Sequence, residues 1–147
     1  MTKQEYITIR ELAWNILLNS NASKLPIDIT PIAKLYNLQD VLNYSNTRYN
    51  NATIVTKKIL VIYGLPDTKE FVNALCIRLL APLCILKECN IITPQEISKY
   101  CDIPLNVAEQ RTARLQVVIK RNKFFISNLE KKVFDNFSEF ITMYNQN

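Results

Sequence analysis

Hydrophobic positions near the start of the chain recur at helical spacing. Tyr6, Ile9, Ala13, Trp14, Leu17 and Leu18 fall on one face. Thr2 and Glu5 stand ahead of them as a capping box, in which each side chain satisfies a backbone donor at a helix start. The polar cluster Asn19-Ser20-Asn21 should end that helix, and Pro26 blocks its continuation. Thr30-Pro31 reads as a cap followed by a proline at the first helical position, opening a short helix through Tyr36.

From Gln39 to Tyr63 the pattern changes. Val41 to Tyr44, Thr53 to Thr56 and Ile59 to Tyr63 are rich in β-branched and aromatic residues, and Asn-rich or Lys-rich breaks separate them. These stretches predict a small sheet of about three strands. Gly64-Leu65-Pro66 marks a turn, and Asp67 with Glu70 can cap a helix carrying Phe71, Ala74, Leu75, Arg78 and Leu79 on one face. Pro82 interrupts it, and a short helix continues toward Cys89. Thr93-Pro94 opens a further helix, and Pro104 the one after, with Val107, Arg111, Leu115 and Val118 on one face. A last helix from about Ser127 should bury Leu129, Val133, Phe137, Phe140 and Tyr144.

The expectation is an α+β fold, mainly helical: one compact domain over 1–147, with about six helices around the small sheet. Its parts are N-terminal helices (1–38), the sheet (39–64) and a helical remainder (65–147).

Composition narrows the chemistry. Apolar residues make up 48% and charged residues 21%, ordinary for a globular protein. No apolar run approaches a membrane span, and the first ten residues lack a signal core, so a cytoplasmic setting is expected. One glycine, Gly64, argues against Gly-rich phosphate loops. The cysteines Cys76, Cys84, Cys89 and Cys101 fit no zinc spacing and read as reduced, buried thiols. There is no histidine, which excludes imidazole bases, His-activated nucleophiles and imidazole-ligated zinc. The net charge is +5, and between Arg111 and Lys132 seven basic residues face one acid, Glu130.

Four pieces, in order, resemble the ImmA/IrrE metallopeptidase-like family. They are Leu25-Pro26-Ile27-Asp28-Ile29 with Ile32 to Leu38, the strand-rich stretch through Ile62, Asn73 to Pro82, and Thr93 to Ile103 with Ala108, Arg111 and Leu115. The resemblance implies a zincin-like remnant. In that family a His-Glu-x-x-His helix holds zinc ahead of the third piece. Here Tyr63 and Asn73 stand too close for another helix, so the motif is expected to be deleted, and with it zinc, cofactor and proteolysis. Glu70, near the family's further acidic ligand, reads as a helix cap.

Gln95 to Leu115 also matches a helix-turn-helix, with Ser98 at the small inward position, Asp102 at the turn and Ile103 after it. Arg111, Arg114, Lys120, Arg121 and Lys123 could neutralise phosphates, whereas Asn106 is the one plausible base reader. Packing scaffold, protein-binding face and nucleic-acid contact all remain open for this segment. Phe124-Phe125 reads as a core anchor or a stacking surface, and Trp14 as core or interface anchor. Tyr44 and Tyr49, in Asn-rich sequence, are candidate protein contacts.

The sequence therefore points to a non-enzymatic regulator or inhibitor that binds a protein. The resemblance implies a phage or mobile-element origin and, as partner, a repressor or a host defence nuclease. The alternative is a DNA-binding regulator using 95–123. A histidine-free hydrolase finds no convergent carboxylate pair to support it.

Overall fold

The computed structural model describes residues 1–146; Asn147, the last residue of the expected domain, lies outside them. The described residues form nine α-helices and one 3-10 turn, and no strand. The helices are α1 (Lys3–Asn19), α2 (Ile29–Leu35), α3 (Arg48–Ile62), α4 (Lys69–Leu80), α5 (Leu83–Glu88), α6 (Pro94–Cys101), α7 (Leu105–Arg121), α8 (Asn128–Asn136) and α9 (Ser138–Asn145). The expected sheet is absent, so the α+β reading gives way to an all-helical one.

The reason lies in the buried positions of α3. Ala52, Val55, Thr56, Ile59 and Leu60 are buried, a spacing of three and four residues that matches one face of a helix. β-Branched residues cost only a few tenths of a kcal/mol each in a helix. Full burial of Ile59 and Leu60 contributes roughly 1.5–3 kcal/mol apiece, and decides the conformation. Thr47 caps the start by accepting from Asn50 N at 3.1 Å. At the other end Gly64 takes φ 68°, and Leu65 N donates to Leu60 O at 2.9 Å, closing the last turn as a glycine C-cap does. Val41 lies in the 3-10 turn Gln39–Val41, and Tyr44 in a loop.

Between Tyr63 and Asn73 no further helix lies, since α4 begins at Lys69; what changes is the segment before it, where a helix of fifteen residues stands in place of the expected strands. The strand-rich piece of the family resemblance is thus a helix.

Several caps match the sequence reading. Thr2 and Glu5 form both halves of the capping box, Thr93 accepts from Glu96 N with Pro94 following, and Ser127 caps α8. Others differ. Asp28, not Thr30, caps α2, accepting from Thr30 N at 3.0 Å. Thr68 caps α4, and Glu70 instead accepts from the Met1 ammonium at 2.8 Å. The expected last helix is two, α8 and α9, divided at Phe137.

One apolar core collects Ile9, Ile16 and Leu17 of α1, Leu75 and Leu79 of α4, Leu115 of α7 and Val133 of α8, with Phe137 beside them. α1 packs along both α4 and α8, α3 lies on α4, and α6 pairs with α7. Positions from Lys3 to Trp14 of α1, the end of α4 and the stretch of α7 from Arg111 to Arg121 line one cleft.

Candidate anion-binding cleft

The cleft has a volume of about 380 Å³ and is lined by cations from three helices and a loop. α1 supplies Lys3 and Arg10, α4 supplies Arg78, α7 supplies Arg111, Arg114 and Arg121, and Lys123 follows α7. Among the described residues, Glu130 is the single acid in the lining. Leu83, Val117, Phe124 and Ile126 form apolar walls, and Trp14 also lines the space.

Arg111 is the deepest cation. It sits on the inward face of α7 between Ala108 and Leu115, and is 5% exposed. Its Nε donates to the Ala81 carbonyl at 2.8 Å, where α4 has just ended. Among the described residues no carboxylate pairs with it. Burial, together with the neighbouring Arg78 and Arg114 charges, pulls its pKa down to about 9, so it remains charged at neutral pH under electrostatic strain.

Arg78 behaves alike. Its Nη1 donates to Ala74 O at 2.8 Å within α4, and its guanidinium lies 5.6 Å from the centroid of the Tyr6 ring. Burial first, then Arg114 and Arg10, lowers its pKa, which Tyr6 partly opposes. Four guanidinium groups therefore feel one another across the cleft.

Charge compensation is thin. Arg10 meets Glu11 at 3.4 Å, a long contact between half-exposed side chains on adjacent residues, worth about 0–1 kcal/mol. Glu11 also accepts from Ser127 Oγ at 2.9 Å. Glu130 is 4% exposed, and burial raises its pKa, against the pull of the Phe125 and Ile126 amides and of Arg10. A carboxyl so placed is a weak counter-charge for seven cations.

Two donors in the wall have no partner among the described residues. Arg10 Nε and Trp14 Nε1 are buried without a hydrogen bond, and Trp14 is only 8% exposed. Indole and guanidinium nitrogens donate and cannot accept. These two nitrogens are enclosed behind the cleft surface, so what the lining presents is excess positive charge on forked guanidinium donors, the chemistry that receives an anion's oxygens.

The sequence candidates separate on this geometry. Arg111, Arg114, Arg121 and Lys123 converge on the cleft, whereas Lys120 is exposed on α7 outside its lining. Asn106 is exposed on the first turn of α7. Tyr44, 87% exposed, borders a separate small hollow with Asp28, Arg48 and Asn51. Tyr49 lies on α3, half-buried against the core. Trp14 is buried, as expected of a core residue, yet it also faces the cleft. Lys3 and Arg10 were not among the sequence candidates, because nothing local marks them. Arg78 carried a signal: with Arg111, it is an arginine at a core-facing helix position.

The helix-turn-helix reading has a structural counterpart. α6 and α7 meet at a short turn in which Asp102 takes the left-handed conformation (φ 55°), and Ser98 Oγ donates to Ile103 O at 2.7 Å. The exposed first turns of α7 carry Leu105, Asn106, Glu109 and Gln110, with no cation among them. All four cysteines are free and buried. Among the described residues no group of three His, Cys, Asp or Glu side chains is placed to hold a metal, and no helix is long and apolar enough to cross a membrane.

No protein-family model, curated protein or solved structure matches this chain.

Proposed function

We propose that this protein is a non-enzymatic binding regulator that engages its partner through an anionic group seated in the arginine cleft. The observation that carries this reading is the convergence of Arg10, Arg78, Arg111 and Arg114 with, among the described residues, no carboxylate paired to the buried Arg111. Placing an unpaired charge inside a protein costs several kcal/mol. A chain gains nothing in stability from doing so, and recovers that cost when an anion arrives. A cytoplasmic setting, from the lack of an apolar span or signal core in the sequence, and a phage or mobile-element origin, from the sequence resemblance alone, belong to the same proposal.

A DNA-binding role for α6 and α7 draws support from the turn at Asp102. Against it, Arg111 is buried, and Arg114, Arg121 and Lys123 line the cleft. Residues that read bases lie early in a recognition helix. Here that stretch offers Asn106 beside Glu109, an acid that repels phosphate.

Trp14 is the sole tryptophan, so its fluorescence reports on the cleft. Titration with multivalent anions at fixed ionic strength should change Trp14 emission with saturation, and Arg114→Gln should abolish the change. Emission that follows ionic strength alone, identical in parent and variant, would remove the basis for the cleft as a site.

A further inference from the structure

The cleft has features beyond positive charge. Its cations are mostly arginines, whose planar forks match phosphate oxygens two at a time, where an ammonium acts as a point charge. Their excess over the single buried Glu130 is larger than one carboxylate or one phosphate can offset. The same lining includes the apolar side chains of Leu83, Val117, Phe124 and Ile126, with Val117 and Ile126 exposed. An inorganic anion would leave that wall wet. The volume of about 380 Å³ falls within the range of sites for small organic ligands. A duplex backbone is convex, and could not bring phosphates to Arg111, which is 5% exposed within the cleft.

We infer that the cleft is a receptor for an oligophosphate ligand bearing an aromatic or apolar body, the chemistry of a nucleoside di- or triphosphate. Arg111 and Arg78 hold the inner phosphate oxygens, with the Arg10 guanidinium beside them. Arg114 and Arg121 close over the outer phosphate, and the organic body lies against Phe124 and Ile126. The arginines themselves neutralise the phosphates, so binding requires no divalent ion. This rests on the proposed function and names the class of anion.

The test is calorimetric titration of the full chain, in EDTA and at constant ionic strength, with ATP, pyrophosphate, adenosine and a hexaglutamate peptide. ATP should bind at least about tenfold more tightly than pyrophosphate, since burying the body adds to the phosphate contacts. Adenosine should bind more weakly than either. Arg114→Gln should weaken ATP by about tenfold or more, through loss of a charge-assisted hydrogen bond. Phe124→Ala should remove the advantage of ATP over pyrophosphate and leave pyrophosphate binding intact. Hexaglutamate binding that depends on Arg114, without ATP or pyrophosphate binding, would overturn this inference and leave the proposed function standing. No Arg114-dependent binding of any probe would overturn both.

Discussion

Arg111 donates from Nε to the carbonyl of Ala81 at 2.8 Å, so a buried cation on α7 is fastened to the residue that ends α4. The bond fixes one edge of the guanidinium and leaves the remainder facing a cleft shared with Arg78 and Arg114. Structure and function pull apart at this residue. The hydrogen bond favours the fold, whereas the unpaired charge opposes it.

Arg111→Met separates the two effects. Losing the hydrogen bond leaves the buried Ala81 carbonyl unsatisfied, at about 1–3 kcal/mol, while removing the buried charge offsets a similar amount. Urea denaturation should therefore place the variant within roughly 1 kcal/mol of the parent, with anion binding lost. A loss beyond about 4 kcal/mol would mark Arg111 as purely structural.

Glu130 should give stability a pH dependence of unusual sign. Burial raises its folded pKa above the ordinary 4.5, so the folded chain holds the proton to higher pH than the unfolded chain. Across that window the folded state binds more protons, and stability falls as pH rises. The groups acting on it are Arg10, Glu11 and the Phe125 and Ile126 amides. Denaturation midpoints of Glu130→Gln, compared with the parent from pH 4 to 7, should lack this decline, and the variant should bind anions more tightly. An unchanged pH profile would show that Glu130 titrates as it does in the unfolded chain.

The thiols should be inert in the native state. Burial pushes Cys76 and Cys101 up to about 12 and, with Glu88 adding to it, Cys89 up to about 11, and it raises Cys84 as well. Reaction with an aromatic disulfide reagent at pH 8 should count no fast thiol in native protein and four after denaturation. One fast thiol before unfolding would contradict the packing around that residue.

Asn106→Ala tests the DNA reading. With no cation on the exposed first turns of α7, the substitution should leave duplex binding and its salt dependence unchanged. A sequence-dependent loss of about 1–3 kcal/mol would restore α7 as a recognition helix.

Local signals were legible and convergent ones were not. The capping box of Thr2 and Glu5 and the Thr93-Pro94 start depend on neighbours within a turn, and both form as their spacing predicts. The sequence of α3 points to strands because Ile54, Val55, Ile59, Val61 and Ile62 favour them by residue type. The opposing signal, the spacing of Ala52, Val55, Thr56, Ile59 and Leu60, ran through the same letters. Tertiary burial overrides propensity there. The cleft was half visible: Arg111, Arg114, Arg121 and Lys123 lie close together in sequence. Lys3, Arg10 and Arg78 join them only because α1 and α4 pack against each other beside α7, a relation no local pattern encodes.

The most direct test is thermal unfolding with millimolar pyrophosphate against chloride at equal ionic strength, in the parent and in Arg114→Gln. Binding at a hundredfold excess over Kd stabilises the native state by about 2.7 kcal/mol, which for a chain of this length raises Tm by roughly 5–10 °C. That rise should occur in the parent and vanish in Arg114→Gln. Equal Tm values in the two salts, or an equal rise in both proteins, would contradict the arginine cleft as an anion site.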